Sequence, residues 1–212
     1  MLPIPTDLES ALALKEVLNS STFKAIKTLN SMRSGTDGLP KEIQPVLSAM
    51  KTLGYGDQVE QVKLQIVRAS AVVADESEVI MKQAIKDVSF KDAAKIVVTG
   101  GDAATGVLKQ SMYKTVSMRY SERLDQELGK TEATQYWPLA AGAYNIFAKE
   151  KVDGKLSDFL AKRAVDALFL TVGAKEKETR VDYKKVGSSV VNKVFNYYQD
   201  KKINNKGKIV KK

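Results

Sequence analysis

The chain has 212 residues, 43% hydrophobic and 28% charged, the balance of a globular protein of one substantial domain or two small ones. It has no cysteine and no histidine, which excludes disulfides, thiolate nucleophiles, Cys/His zinc sites and any mechanism with an imidazole base. The net charge of +9 is localised: residues 184–212 carry nine Lys and one Asp, whereas residues 1–106 carry 12 Lys and Arg against 13 Asp and Glu.

The elements read almost entirely as helix. Residues 1–6 form a short linker that starts Met1-Leu2-Pro3-Ile4-Pro5, without the basic start and apolar core of a secretory signal. Thr6-x-x-Glu9 is a capping box. Leu8, Leu12, Lys15, Val17 and Leu18 are then spaced for an amphipathic helix to about Asn30. Ser34 to Gly38 is a loop, Pro40 can open a second helix, and Gly54-Tyr55-Gly56 ends it. Asp57-x-x-Glu60 precedes a stripe of Val59, Val62, Ile66 and Val73, and the segment from Asp75 to Asp87 continues or restarts that helix.

Ser89-x-x-Asp92 caps a short helix reaching about Val98, and Asp102 begins a long one to Leu128. Thr131 to Ala148 is helical with Pro138 near a first turn or a kink. After a turn at Val152-Asp153-Gly154, Ser157 to Arg180 and Val186 to Tyr198 complete the set. No hairpin-like alternation and no apolar run of about 18 residues is present. The expectation is one all-α domain over residues 7–198, an irregular bundle of seven to nine helices, followed by a basic tail at 199–212.

Three segments together carry a family likeness: Ile66 to Ala71, then Asp92-Ala93-Ala94 through Gly100-Gly101-Asp102-Ala103-Ala104-Thr105, then Arg163 to Phe169 through Glu176 to Arg180-Val181-Asp182. Their order and spacing, with the Leu14 to Leu18 start, resemble the bacterial family called domain of unknown function 4197, over about residues 10–196. The resemblance implies an all-helical fold and export to the periplasm or envelope, because members carry an export signal or lipoprotein leader; a cytoplasmic location is the alternative. It supplies no catalytic residue. Where the family reads Met-Asn-Arg-Ala-Ala-Glu, this chain has Ile66 to Ala71, so Val67 and Ala71 replace an Asn and a Glu.

The stretch IVVTGGDAATGVLK, Ile96 to Lys109, has the outline of a phosphate loop. Gly101 and Gly106 are correctly spaced, but Val107 and Leu108 stand where a Walker loop needs Lys and Ser or Thr. Asp102 would itself take the free N–H groups that a phosphate needs, so the stretch reads as a capped corner with Asp102 at N-cap and Thr105 at N3.

On the Ser157–Arg180 helix, Val165, Phe169 and Val172 form an apolar stripe whose next member is Glu176, with Arg180 four residues on. The plain expectation is a surface ion pair worth about 0–1 kcal/mol where the helix end emerges. The sharper alternative is a buried polar cluster of Glu176 and Arg180 with Arg68, Asp102, Thr105 or Asp166, in which an enzyme could seat a carboxylate–Arg site. Ala104, Leu108, Ser111, Thr115 and Met118 form a second stripe, suited to close packing or to a groove. With Ser111 and Thr115, the aromatics Tyr136, Trp137 and Tyr144 are groove candidates.

No catalytic residue, metal ligand or cofactor is assigned. The function expected is binding of a protein partner or a small apolar ligand between helices. The alternatives are an enzyme built on the polar cluster and contact of the Lys-rich tail with an anionic membrane or polyanion. The tail has neither Arg nor aromatics, which argues against nucleic acid, and it reads as solvated and partly disordered.

Overall fold

The computed structural model describes residues 3–32 and 39–212. The Ser34–Gly38 loop expected from the sequence lies outside them. Eight α-helices follow one another among the described residues: α1 (Asp7–Ser31), α2 (Ile43–Thr52), α3 (Val59–Asp87), α4 (Ala93–Thr99), α5 (Ala103–Leu128), α6 (Ala133–Phe147), α7 (Leu156–Val181) and α8 (Ser189–Tyr198). A small antiparallel ribbon of β1 (Lys201–Ile203) and β2 (Ile209–Lys211) closes the order. The architecture is all-α. No described helix is long and apolar enough to cross a membrane.

Contacts divide the chain into two compact units. One comprises Met1–Thr28, Glu78–Tyr113 and Leu168–Lys212; the other comprises Leu29–Ser77 and Lys114–Ala167. The first buries Leu14, Val17, Leu18, Met81, Ile85, Leu108, Phe169 and Val172. The second buries Ile43, Met50, Val62, Ile66, Leu124, Trp137 and Phe159.

Local chemistry explains two of the helix starts. At α1 the Glu9 N–H donates to Thr6 Oγ1 at 3.1 Å and the Thr6 N–H donates to Glu9 Oε2 at 2.9 Å, the reciprocal capping box. At α8, Gly187 in a left-handed conformation breaks the preceding 3-10 turn, and Ser188 accepts the Val191 N–H at 3.3 Å. The last helix therefore starts at Ser189 rather than Val186.

The buried side of α1 differs from expectation. It runs through Ser10, Ala13, Leu14, Val17, Leu18, Ser21 and Ala25, while Leu8 and Leu12 lie on the opposite side and are exposed. Small residues at 10, 13, 21 and 25 let neighbouring backbone approach, so the packed stripe carries few bulky side chains for a periodicity search to find. The Val59, Val62, Ile66 and Val73 stripe of α3 is buried throughout, and that helix is continuous to Asp87. Pro138 falls in the second turn of α6, where one backbone bond to the preceding turn cannot form.

The C-terminal segment is ordered as a hairpin. Asn204 Oδ1 accepts the N–H groups of Lys206 and Lys208 at 3.0 and 2.9 Å, and Gly207 takes φ +69°. This is local turn chemistry, and it overrides the expectation of partial disorder drawn from charge alone.

Candidate functional site

The N-terminus of α5 is the point where polar groups converge. Its first turn leaves N–H groups without helical partners. The sequence offers Asp102 to satisfy them, but another helix does so. Glu176, which follows Val172 on the buried stripe of α7, accepts the Ala104 N–H on Oε1 at 3.2 Å. Its Oε2 accepts the Thr105 N–H at 2.7 Å and the Thr105 hydroxyl at 2.6 Å. Arg180, one turn further along α7, donates from Nε to Glu176 Oε1 at 2.7 Å and from Nη1 to the Val97 carbonyl of α4 at 3.1 Å. Its guanidinium carbon also lies 5.6 Å from the centroid of the Phe195 ring on α8.

Glu176 is 0% exposed and the Arg180 side chain 7%. The surface-pair expectation is thereby corrected: the stripe of Val165, Phe169 and Val172 continues inward as far as Glu176. Two oppositely charged groups and the positive end of the α5 dipole offset the desolvation that burial imposes. Gly173 makes the approach close, since a Cβ there would meet Asp102 Oδ2 at 3.2 Å. Asp102 holds the expected N-cap position before Ala103, with Thr105 at N3, but its carboxylate faces Lys177, Oδ2 lying 3.2 Å from Nζ, and so does not take the N–H groups expected of it.

The opening of the phosphate-like loop is thus filled from within the protein. Each carboxylate oxygen of Glu176 already accepts two hydrogen bonds, which uses its acceptor capacity. The cluster joins Thr105, Glu176 and Arg180. Of the other residues considered for it, Arg68 is exposed and Asp166 is paired with Lys162 at 3.9 Å, both in the second unit.

The groove candidates also separate. Trp137 is 2% exposed, packs on Phe159 with centroids 4.9 Å apart, and donates from Nε1 to the Asp153 carbonyl at 2.9 Å. It is a core residue, not a groove wall. Ser111 and Thr115 are exposed on α5 because the helix turns its buried face through Leu108, Val116 and Tyr120 instead. Tyr144 is half-buried, as is Tyr136, whose ring lies 4.9 Å from that of Tyr55. Among the described residues no group of three or more acidic side chains could hold a metal ion.

A second polar network ties α5 to the start of α7. Asp125 accepts from Lys155 Nζ at 2.9 Å and from the buried Ser157 hydroxyl at 3.0 Å, while Ser121 donates to Asp158. The Lys155 hydrogen bond, aided by that of Ser157, holds the Asp125 carboxyl below its ordinary pKa against the opposing effect of burial. A folded pKa below the unfolded one stabilises the native state at higher pH, and that contribution drains as pH falls through the folded value. The urea midpoints of the wild type and Asp125→Asn should therefore differ at neutral pH and converge as pH falls below about 3.9. Asp125 is nearly half exposed, so the difference should be under about 1 kcal/mol.

These features coincide with a sequence family. The model of the family described as protein of unknown function (DUF4197) matches residues 5–196. The chain belongs to that family. The DUF4197 match spans both compact units and includes every residue of the Glu176 cluster. No curated protein and no solved structure matches the chain.

Proposed function

We propose that this DUF4197 protein is a non-enzymatic binding or accessory protein of the bacterial envelope, exported as the family resemblance implies. Its docking surface is the outer face of α6. The observation that carries this reading is an apolar row at helical spacing, with Leu139 and Ile146 exposed, Ala143 half-buried between them, and Phe147 following at 90% exposure. Exposed apolar groups scattered singly are normal, but three large ones on one side of a helix, ending in an aromatic, have the composition of an interface core. The partner this face fits is a protein surface able to cover a helix. A small apolar ligand fits less well, because Trp137 is turned into the core.

Two observations favour binding over catalysis. The chain has no imidazole or thiol, and its most buried carboxylate is committed to four internal hydrogen bonds. Cross-linking mass spectrometry on cells at native abundance tests the reading. Cross-links to a partner should converge near residues 136–147 and disappear in Ile146→Glu/Phe147→Glu, with far-UV circular dichroism unchanged. A monomer with no cross-linked partner in wild-type cells refutes it, and recovery of the protein from the cytoplasm alone refutes the location.

A further inference from the structure

The C-terminal ribbon carries charge that the rest of the molecule does not balance. Residues 199–212 contain six Lys and one Asp. The register pairs Lys201 with Lys211, Lys202 with Val210 and Ile203 with Ile209. Two lysines directly opposite each other destabilise a two-stranded ribbon. Asp200 offsets this through Lys201, 2.7 Å away, and its carboxyl is held below the usual range first by that hydrogen bond. Lys202, Lys206 and Lys208 are exposed and make no ion pair among the described residues. Val210, across from Lys202, is half-buried, and Ile203 and Ile209 pair with each other on the other face of the ribbon.

We infer that this hairpin docks on an anionic lipid surface. Unpaired ammonium groups on an ordered ribbon supply attraction to headgroup phosphates, and Val210, directly across from Lys202 and on the same face, supplies apolar area for the headgroup–acyl boundary. The turn at Asn204 and Gly207 fixes these groups on a short, stiff element, so little chain entropy is lost on contact. Duplex or single-stranded nucleic acid is a poorer fit. The ribbon has no Arg to read a base edge and no aromatic ring to stack, and Tyr197 beneath it is engaged with Lys201, whose Nζ lies 5.2 Å from the ring centroid. Lysines also guard exposed strand edges against pairing with other chains. That role alone predicts no affinity for lipid, which makes the two readings separable. The inference does not depend on the α6 docking face.

The test is sedimentation of the full chain with vesicles of phosphatidylcholine alone and of phosphatidylcholine with a minority of phosphatidylglycerol. The protein should sediment with the anionic vesicles, remain free of the neutral ones, and be released by high salt. Lys202→Gln/Lys206→Gln/Lys208→Gln should lower partitioning about a hundredfold. The corresponding triple Arg variant should retain it, which separates lost charge from lost fold. Equal sedimentation with both vesicle types, or with neither, overturns the inference. So does binding to duplex DNA with the same lysine dependence when the vesicles are not bound.

Discussion

Glu176→Ala should lower the unfolding free energy by about 3–5 kcal/mol, the range seen when one partner of a buried ion pair is removed. The size follows from what is stranded. The N–H groups of Ala104 and Thr105 lose their acceptor, the Thr105 hydroxyl loses its partner, and Arg180 keeps a buried charge without its carboxylate. Urea titration gives the loss directly, and an unchanged m value shows that the native and unfolded states kept their surface areas. Glu176→Gln should cost less, because one oxygen still accepts while the amide turns N–H groups towards donors. Glu176→Met/Arg180→Met should cost less than Glu176→Ala alone, since apolar packing can replace a buried pair once neither charge remains. A loss under about 1 kcal/mol for Glu176→Ala is the signature of a surface pair and would refute the buried cluster.

Trp137→Ala is the second large effect, expected at about 3–5 kcal/mol. The indole is buried against Phe159, and its removal leaves both a cavity and the Asp153 carbonyl without its donor. Trp137→Phe should be milder, losing the hydrogen bond and part of the volume. The same residue provides a readout, because it is the only tryptophan in the chain. Its emission should be blue-shifted and poorly accessible to a soluble quencher in the folded protein. Occupation of the α6 stripe should change that emission little, because Trp137 lies on a different face of the helix from Leu139 and Ile146. A strong fluorescence response to a small apolar ligand would reopen the groove reading.

Helix existence was legible wherever apolar spacing was dense, as in the Val59 to Val73 stripe and the Val165 to Glu176 stripe. Caps were legible only where donor and acceptor are near neighbours in sequence. Thr6 with Glu9 is such a pair. The starts of α4, α5 and α6 are not. The Ala94 N–H goes to Asp7 Oδ1 at 3.3 Å, those of Ala104 and Thr105 go to Glu176, and the Ala133 N–H goes to Gln65 Oε1 at 2.9 Å. The nearby acids Asp92 and Asp102 look like caps in one dimension, yet Asp92 sits at φ 52° with its carboxylate on Lys95 rather than on a backbone N–H, and Asp102 turns to Lys177. Burial of Glu176 could have been inferred from its place on an unbroken stripe, but the stripe does not reveal which helix end receives the carboxylate. Among the candidate cluster, Thr105, Glu176 and Arg180 share a site, whereas Arg68 and Asp166 were grouped with them by charge type alone. The hairpin had a signal too, the Asn204 to Gly207 turn between two short β-branched ends, and the surrounding lysines obscured it.

Borrowed caps also constrain the order in which the protein can take shape as it is synthesised. The group that completes α5 lies 72 residues beyond the Ala104 N–H it serves, and α4 depends on a carboxylate supplied 87 residues earlier. The first unit is itself assembled from the beginning, middle and end of the chain. A nascent chain ending before Glu176 therefore has α5 with open N–H groups and lacks the α7 segment that covers that end. Contacts of such long sequence separation are formed late and slow folding. A polypeptide truncated ahead of Glu176 should accordingly expose the start of α5 to proteases that spare it in the complete chain.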